Sequence, residues 1–186
     1  MIDEAPITRK AIRQAAAERL AAAGTIAGSR VFGFRVLPVP DDKLPALLVY
    51  TDQDNGDNTS AGSPVFRRSI DLVIECVLAG TSDDGLGDAL DDFAEAATYA
   101  LLGDPAWTSQ FEKVKSVRVE FAAVIDGARR IACAKVTISI QFSAEYPPPA
   151  DSADDLSTVG LSLDTLPTDG RVELAAVIDL SPPEAP

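Results

Sequence analysis

The run Arg67-Arg68-Ser69-Ile70-Asp71-Leu72-Val73-Ile74-Glu75-Cys76-Val77-Leu78-Ala79 decides the fold. In an extended chain Ile70, Leu72, Ile74, Cys76 and Leu78 project to one side, and Ser69, Asp71 and Glu75 to the other. That period-two alternation belongs to a strand with one face in a core and one face partly wet. Gly80 and a short polar break follow, then a long amphipathic helix able to lie back across the apolar face. The pattern predicts an α+β fold: a small, mostly antiparallel mixed sheet packed against two helices, with an extra C-terminal β-hairpin.

Toward the N-terminus, Leu47, Leu48, Val49 and Tyr50 are consecutive, in a strand predicted over 44–51 and covered on both faces. Residues 31–37 read as another strand, stopped by Pro38 and Pro40. Before it, residues 6–23 predict a helix in which Pro6 suits the start and Gly24 the C-cap. Ile12, Ala16, Leu20 and Ala23 form its narrow apolar line, with Arg9, Arg13 and Glu18 toward water. Residues 52–64 are rich in Asp, Asn, Gly and Ser and predict a long loop leading into the central strand.

Toward the C-terminus, Ser82 or Asp83 suits the cap of a helix running to about residue 102. Leu86, Leu90, Phe93, Ala97 and Leu101 recur there at helical spacing, and Gly103-Asp104-Pro105 ends it. Asp126-Gly127 is a strong hairpin signal between strands over 114–125 and 129–142. Val117, Val119, Phe121, Ala123 and Ile125 share one face of the first of these. Tyr146 and Pro147-Pro148-Pro149 close this part, so the expected domains are 1–146 and 147–186. The second reads as a proline-led acidic linker and a hairpin of strands 156–163 and 172–180 around Pro167-Thr168-Asp169-Gly170.

Composition narrows the function. With 29 acids against 16 bases the net charge is −13. Residues 147–186 carry 8 acids and only Arg171 as a base. Such a surface repels phosphate and argues against tight wrapping of nucleic acid. No apolar run is long enough for a membrane span. The acidic opening Met1-Ile2-Asp3-Glu4-Ala5-Pro6 does not resemble a secretory signal, so a protein made and kept in the cytosol is expected. The absence of histidine rules out a Ser–His triad, a Cys–His pair and histidine metal ligation within one chain. Cys76 and Cys133 fall on opposite faces of the predicted sheet and are expected to stay reduced.

Several local patterns invite chemistry and are better read otherwise. Asp52-Gln53-Asp54-Asn55-Gly56-Asp57 evokes a calcium loop, but its glycine is one place early and Ser63 stands where the bidentate Glu belongs. Asp84, Asp88, Asp91, Asp92 and Glu95 lie opposite the apolar stripe of their helix, where carboxylates keep ordinary acidity and suit a solvated face or subunit contact. Gly85-Leu86-Gly87 lacks the third glycine of a dinucleotide loop. Trp107 and Phe111 read as a plug for the end of the core, or else an interface anchor. Arg67 and Arg68, with Lys113, Lys115 and Arg118, form a basic cluster if their strands are neighbours, suited to an acidic patch on another copy.

The order of elements resembles the tail terminator (tail completion, or minor tail protein U-like) family of long-tailed bacteriophages. The likeness covers about residues 5–146. It rests on Arg30-Val31-Phe32 with Arg35 and Pro38, Leu44-Pro45-Ala46 leading to Val49-Tyr50-Thr51, the 68–78 strand, the acidic helix, and the Asp126-Gly127 hairpin. It implies a homo-oligomer, a hexameric ring at the head-proximal end of the virion tail, assembled from subunits made in the bacterial host cytoplasm. It further implies contacts with the tail tube protein and a head-side connector or neck protein. DNA would pass through without specific binding, and catalysis, cofactor and metal are not implied. Asp52, Asp54, Asp57, Asp88, Asp91 and Asp92 are candidates for the channel wall, and Arg67, Arg68 and Arg118 for subunit contacts. Two alternatives stand beside it: a head–tail connector, and a metal-dependent hydrolase using clustered carboxylates.

Overall fold

A computed structural model describes residues 7–35, 39–62, 64–80, 83–126, 129–146, 158–163 and 174–179. Two compact units divide the chain, Met1–Tyr146 and Pro147–Pro186.

The first helix, α1, spans Arg9–Ala22. The Thr8 side chain caps it by accepting from the Ala11 amide at 3.1 Å. Pro6, the start read from the sequence, lies outside the described residues. Gly24, at φ 68°, takes the left-handed turn that ends the helix. Ile12, Ala16 and Leu20 are buried as the spacing predicts; Ala23 is exposed, and Ala27, beyond the helix, is buried in the core instead.

Strand β1 is Val31–Phe32 only, running parallel to β2, Ala46–Asn58. The expected strand over 31–37 is thus cut short; Val36, Leu37 and Pro38 lie outside the described residues. A short 3-10 turn, Asp41–Lys43, leads to a cis Leu44–Pro45 bond ahead of β2. Strand β3, Val65–Gly80, is the central line, paired antiparallel with β2 on one side and with β5, Arg129–Glu145, on the other. Strand β4, Lys113–Asp126, pairs with β5 and completes a five-stranded open sheet in the order β1-β2-β3-β5-β4. The hairpin ladder reaches the pair Asp126 and Arg129; Gly127 lies outside the described residues.

The largest departure from the sequence reading lies at residues 52–58. These turn-formers are the outer half of β2, with Asp54 opposite Ile70, Gly56 opposite Arg68 and Asp57 opposite Arg67. A register shift between Thr51 and Asp54 absorbs the mismatch. Weak strand propensity yields because the long β3 offers a continuous row of backbone partners, and the polar side chains remain mostly exposed. The connection to β3 shrinks accordingly to 59–64, with Ser63 outside the described residues.

Helix α2, Asp83–Leu102, and the one-turn helix α3, Pro105–Thr108, follow β3. Ser82, one of the two caps read from the sequence, lies outside the described residues. Gly103 joins the two helices where a Cβ would stand 2.7 Å from the Tyr99 carbonyl oxygen, so the close approach demands glycine. Asp104 then caps α3 by accepting from the Ala106 amide at 2.9 Å. Its other oxygen accepts from Arg19 Nε at 2.8 Å, tying α1 to this corner.

Both long helices cover one face of the sheet. Ile70, Leu72, Ile74, Cys76 and Leu78 are buried there in the predicted phase, with Val136, Ile138, Ile140 and Phe142 of β5 beside them. Ile12, Leu20, Leu90, Phe93, Ala97 and Leu101 meet them from the helices. Each fully buried Leu, Ile or Phe stabilises by about 1.5–3 kcal/mol relative to exposure, which makes this seam the main source of order. Trp107 is buried and packs edge-to-face on Phe111 at 4.8 Å, plugging the end of the core as expected. The second unit contains an antiparallel pair, β6 Thr158–Leu163 and β7 Leu174–Asp179. Its Pro147-Pro148-Pro149 linker and its turn over 167–170 lie outside the described residues.

Candidate assembly interface

Strand β4 is an edge strand that keeps apolar side chains in water. Its inner neighbour β5 pairs Ile138 with Val117, Val136 with Val119 and Ala134 with Phe121, so each partner shares a face with a fully buried residue. Helix α2 lies over β3 and β5 and stops short of β4. Val117, Val119 and Phe121 are therefore 42%, 40% and 57% exposed. The predicted common face exists, but it is open; the side chains of Ala123 and Ile125 lie outside the described residues. Among the described residues no strand pairs with the outer edge of β4. Open backbone donors and acceptors beside an apolar stripe form a surface suited to covering by another chain.

The step between α2 and β4 is a groove of about 490 Å³ lined by Leu86, Gly87, Leu90, Asp91, Phe121, Ala122 and Ala132. Asp91 is the one charged group on that lining. Asp88 and Asp92 also stand on the exposed side of α2, as the helical spacing predicts.

At the opposite end of the sheet Phe34, just after β1, is 69% exposed, and Ile26, in the loop before β1, is 54% exposed. Arg30 pins this corner by donating from Nε to the Pro45 carbonyl at 2.7 Å and from Nη2 to the Ile26 carbonyl at 3.0 Å. The Arg35 guanidinium rests 4.9 Å from the Phe32 ring centroid. The sequence reading did not single out Phe34, whose flanking Gly33 and Arg35 gave the available hint of an exposed position.

The charged candidates converge only in part. The basic cluster read from the sequence loses Arg68, because successive residues of β3 face opposite ways, while Arg67 and Lys115 line one hollow on the side away from the helices. Arg68 lies on the helix-bearing side and is held by Asp54 through two hydrogen bonds, which raise its pKa. Arg67 lies on the other side, 3.2 Å from Glu112. Gln141 first, then Ser143 and Arg67, hold the Glu112 carboxyl below the usual range. Arg118 is largely exposed and 4.0 Å from Glu120. Asp57 faces a polar hollow of about 310 Å³ with Arg67, Asp71, Lys115 and Ser139. Asp52 sits at the β2 register shift, so Asp52, Asp54 and Asp57 do not share one face. Among the described residues no cluster of three or more acids or cysteines is arranged to hold a metal.

The sheet side away from the helices is partly apolar and partly polar. Tyr50 Oη donates to Glu75 Oε1 at 2.6 Å, and burial together with that bond pushes the phenol well above its usual range. Cys133 is half-buried on this side and Cys76 is buried on the other; both are free. Burial pushes the Cys133 thiol up to about 11 and the Cys76 thiol up to about 12, which keeps both protonated. Among the described residues no helix is long and apolar enough to cross a membrane.

No family model matches the chain, and no curated protein matches it. Among solved structures, a chain from "Virion of native gene transfer agent (GTA) particle" is similar at 17% identity and a TM-score of 0.36. The match covers 66% of this chain and 84% of that chain. A likeness of that closeness carries no weight for the role of this chain.

Proposed function

We propose that this chain is a structural virion subunit of the tail-terminator type, whose copies close into a hexameric ring at the head-proximal end of a phage tail. The ring caps the tail tube, stops its growth and offers its far side to the head-side connector. The observation that carries this reading is the open β4 edge with Val117, Val119 and Phe121 exposed beside it, a surface that association would cover. Asp88, Asp91 and Asp92 stand in solvent on α2, which suits a contact surface. The sequence resemblance supplies the ring size and the neighbours.

Each copy carries −13, so assembly is opposed by repulsion that salt screens over about 8 Å at physiological strength. An acidic channel wall lets DNA pass without adhering, since phosphate contacts supply most non-specific affinity. Residues 147–186 act as an acidic extension of the ring-forming body.

Native mass spectrometry over a range of salt concentrations, alone and with the tube protein, tests this reading. Rings that bind tube ends are expected, with overlong tails by electron microscopy when the protein is missing. A chain that stays monomeric at every salt concentration and ignores tube ends overturns the reading. Capture by the portal complex in place of the tube assigns the connector role.

A further inference from the structure

We propose that copies join through opposite edges of the sheet, Phe34 of one copy seating in the groove between α2 and β4 of the next. The proposal rests on the ring reading above and names the contact that makes it.

Strands β1 and β4 terminate the sheet at its two ends, so a patch just after β1 and a patch on β4 cannot cover one another within one sheet. Both ends nevertheless expose large apolar groups, Phe34 on one and Phe121 with Val117 and Val119 on the other. Two unlike surfaces at opposite ends are what a head-to-tail contact requires, and such a contact repeated by rotation closes a ring. Two-fold pairing of β4 on β4 would leave Phe34 and Ile26 uncovered.

The chemistry of the two surfaces is complementary. Phe34 projects between Gly33 and Arg35, while the groove floor and walls are Leu86, Leu90, Phe121 and Ala132. An aromatic side chain in an apolar pocket is the usual anchor of an interface. Arg35, stacked on Phe32, sets a positive charge at the base of the projection, and Asp91 sets a negative one on the groove wall. Opposite charges at the rim of an apolar contact fix its register and select the partner.

Cysteine pairing in the full-length chain tests the contact while leaving Phe34, Phe121 and Asp91 in place. At Gly33 and at Gly87 an added Cβ meets nothing within 4 Å, so Gly33→Cys and Gly87→Cys are tolerated in the fold. Under mild oxidation each variant alone is expected to stay uncrosslinked, an equal mixture to give disulfide dimers, and the double variant a ladder ending at the ring size. Dimers from Gly87→Cys alone would establish two-fold pairing and overturn the proposal. A ring that persists by native mass without any crosslink overturns the contact while leaving the ring reading standing. A monomer without crosslinks defeats both. Slow alkylation of Gly87→Cys in a full-length monomer would place the chain's own residues in the groove, and also overturns the proposal.

Discussion

Arg68 clasps Asp54 across the ladder between β2 and β3, its Nε donating to Oδ1 at 3.1 Å and a terminal nitrogen donating to Oδ2. The remaining terminal nitrogen donates to Tyr146 Oη at 2.9 Å, and the guanidinium lies 5.5 Å from the Phe142 ring centroid. Gly56 opposite makes room, since a Cβ there would stand 3.1 Å from Arg68 Cγ. The clasp fastens the polar outer half of β2 to the central strand.

Arg68→Met is therefore expected to lower stability by about 2 kcal/mol, because it strands a mostly buried carboxylate. Arg68→Lys should recover only part of this, since an ammonium cannot reproduce the planar fork. Urea unfolding of the three proteins measures it; equal midpoints for wild type and Arg68→Lys would show that the two-point geometry is irrelevant.

Ile74, fully buried at the middle of β3, tests the central strand. Ile74→Ala should cost about 2–5 kcal/mol through lost contacts and a cavity. Ile74→Asp buries a charge without a partner and should abolish soluble folding. Ordinary yield and circular dichroism for Ile74→Asp would contradict the observed burial.

Phe121→Glu separates assembly from folding. With the ring 57% exposed, the change should alter monomer stability by less than about 1 kcal/mol. It should nonetheless eliminate ring formation, which thermal melts and native mass spectrometry on one sample would resolve. A mutant that assembles normally would remove β4 from the interface.

The corner at Asp104 carries a pH dependence of known sign. Its hydrogen bond from Arg19 first, then the Ala106 amide, holds the folded carboxyl below the ordinary value of 3.8. A depressed folded pKa contributes stability that is present above the unfolded value and lost as pH falls through the folded one. Asp104→Asn keeps a capping oxygen but loses the charge. The mutant should be less stable than wild type at neutral pH, and the gap should close as pH drops below 3.8 in a melting series. A gap that is constant with pH would assign the loss to the cap.

Deleting residues 150–186 should leave a body that unfolds cooperatively, since the core assembled from α1, α2 and the five-stranded sheet lies within the first unit. Broad or absent transitions in calorimetry would show that the C-terminal hairpin completes that core.

The sequence by itself determined the phase of β3, the extent of α2 and the pairing of β4 with β5. In each of these a repeat of 2 or 3.6, or an Asp-Gly turn, reports which side chains share a face or where the chain reverses. The tertiary structure decided what lies over each face. Residues 52–58 became strand because β3 ran alongside them. Val117, Val119 and Phe121 stayed in water because α2 ends its coverage one strand earlier. A local alternation looks the same on a covered strand and on an open one; only pairings between distant parts of the chain settle which strand stands at the edge.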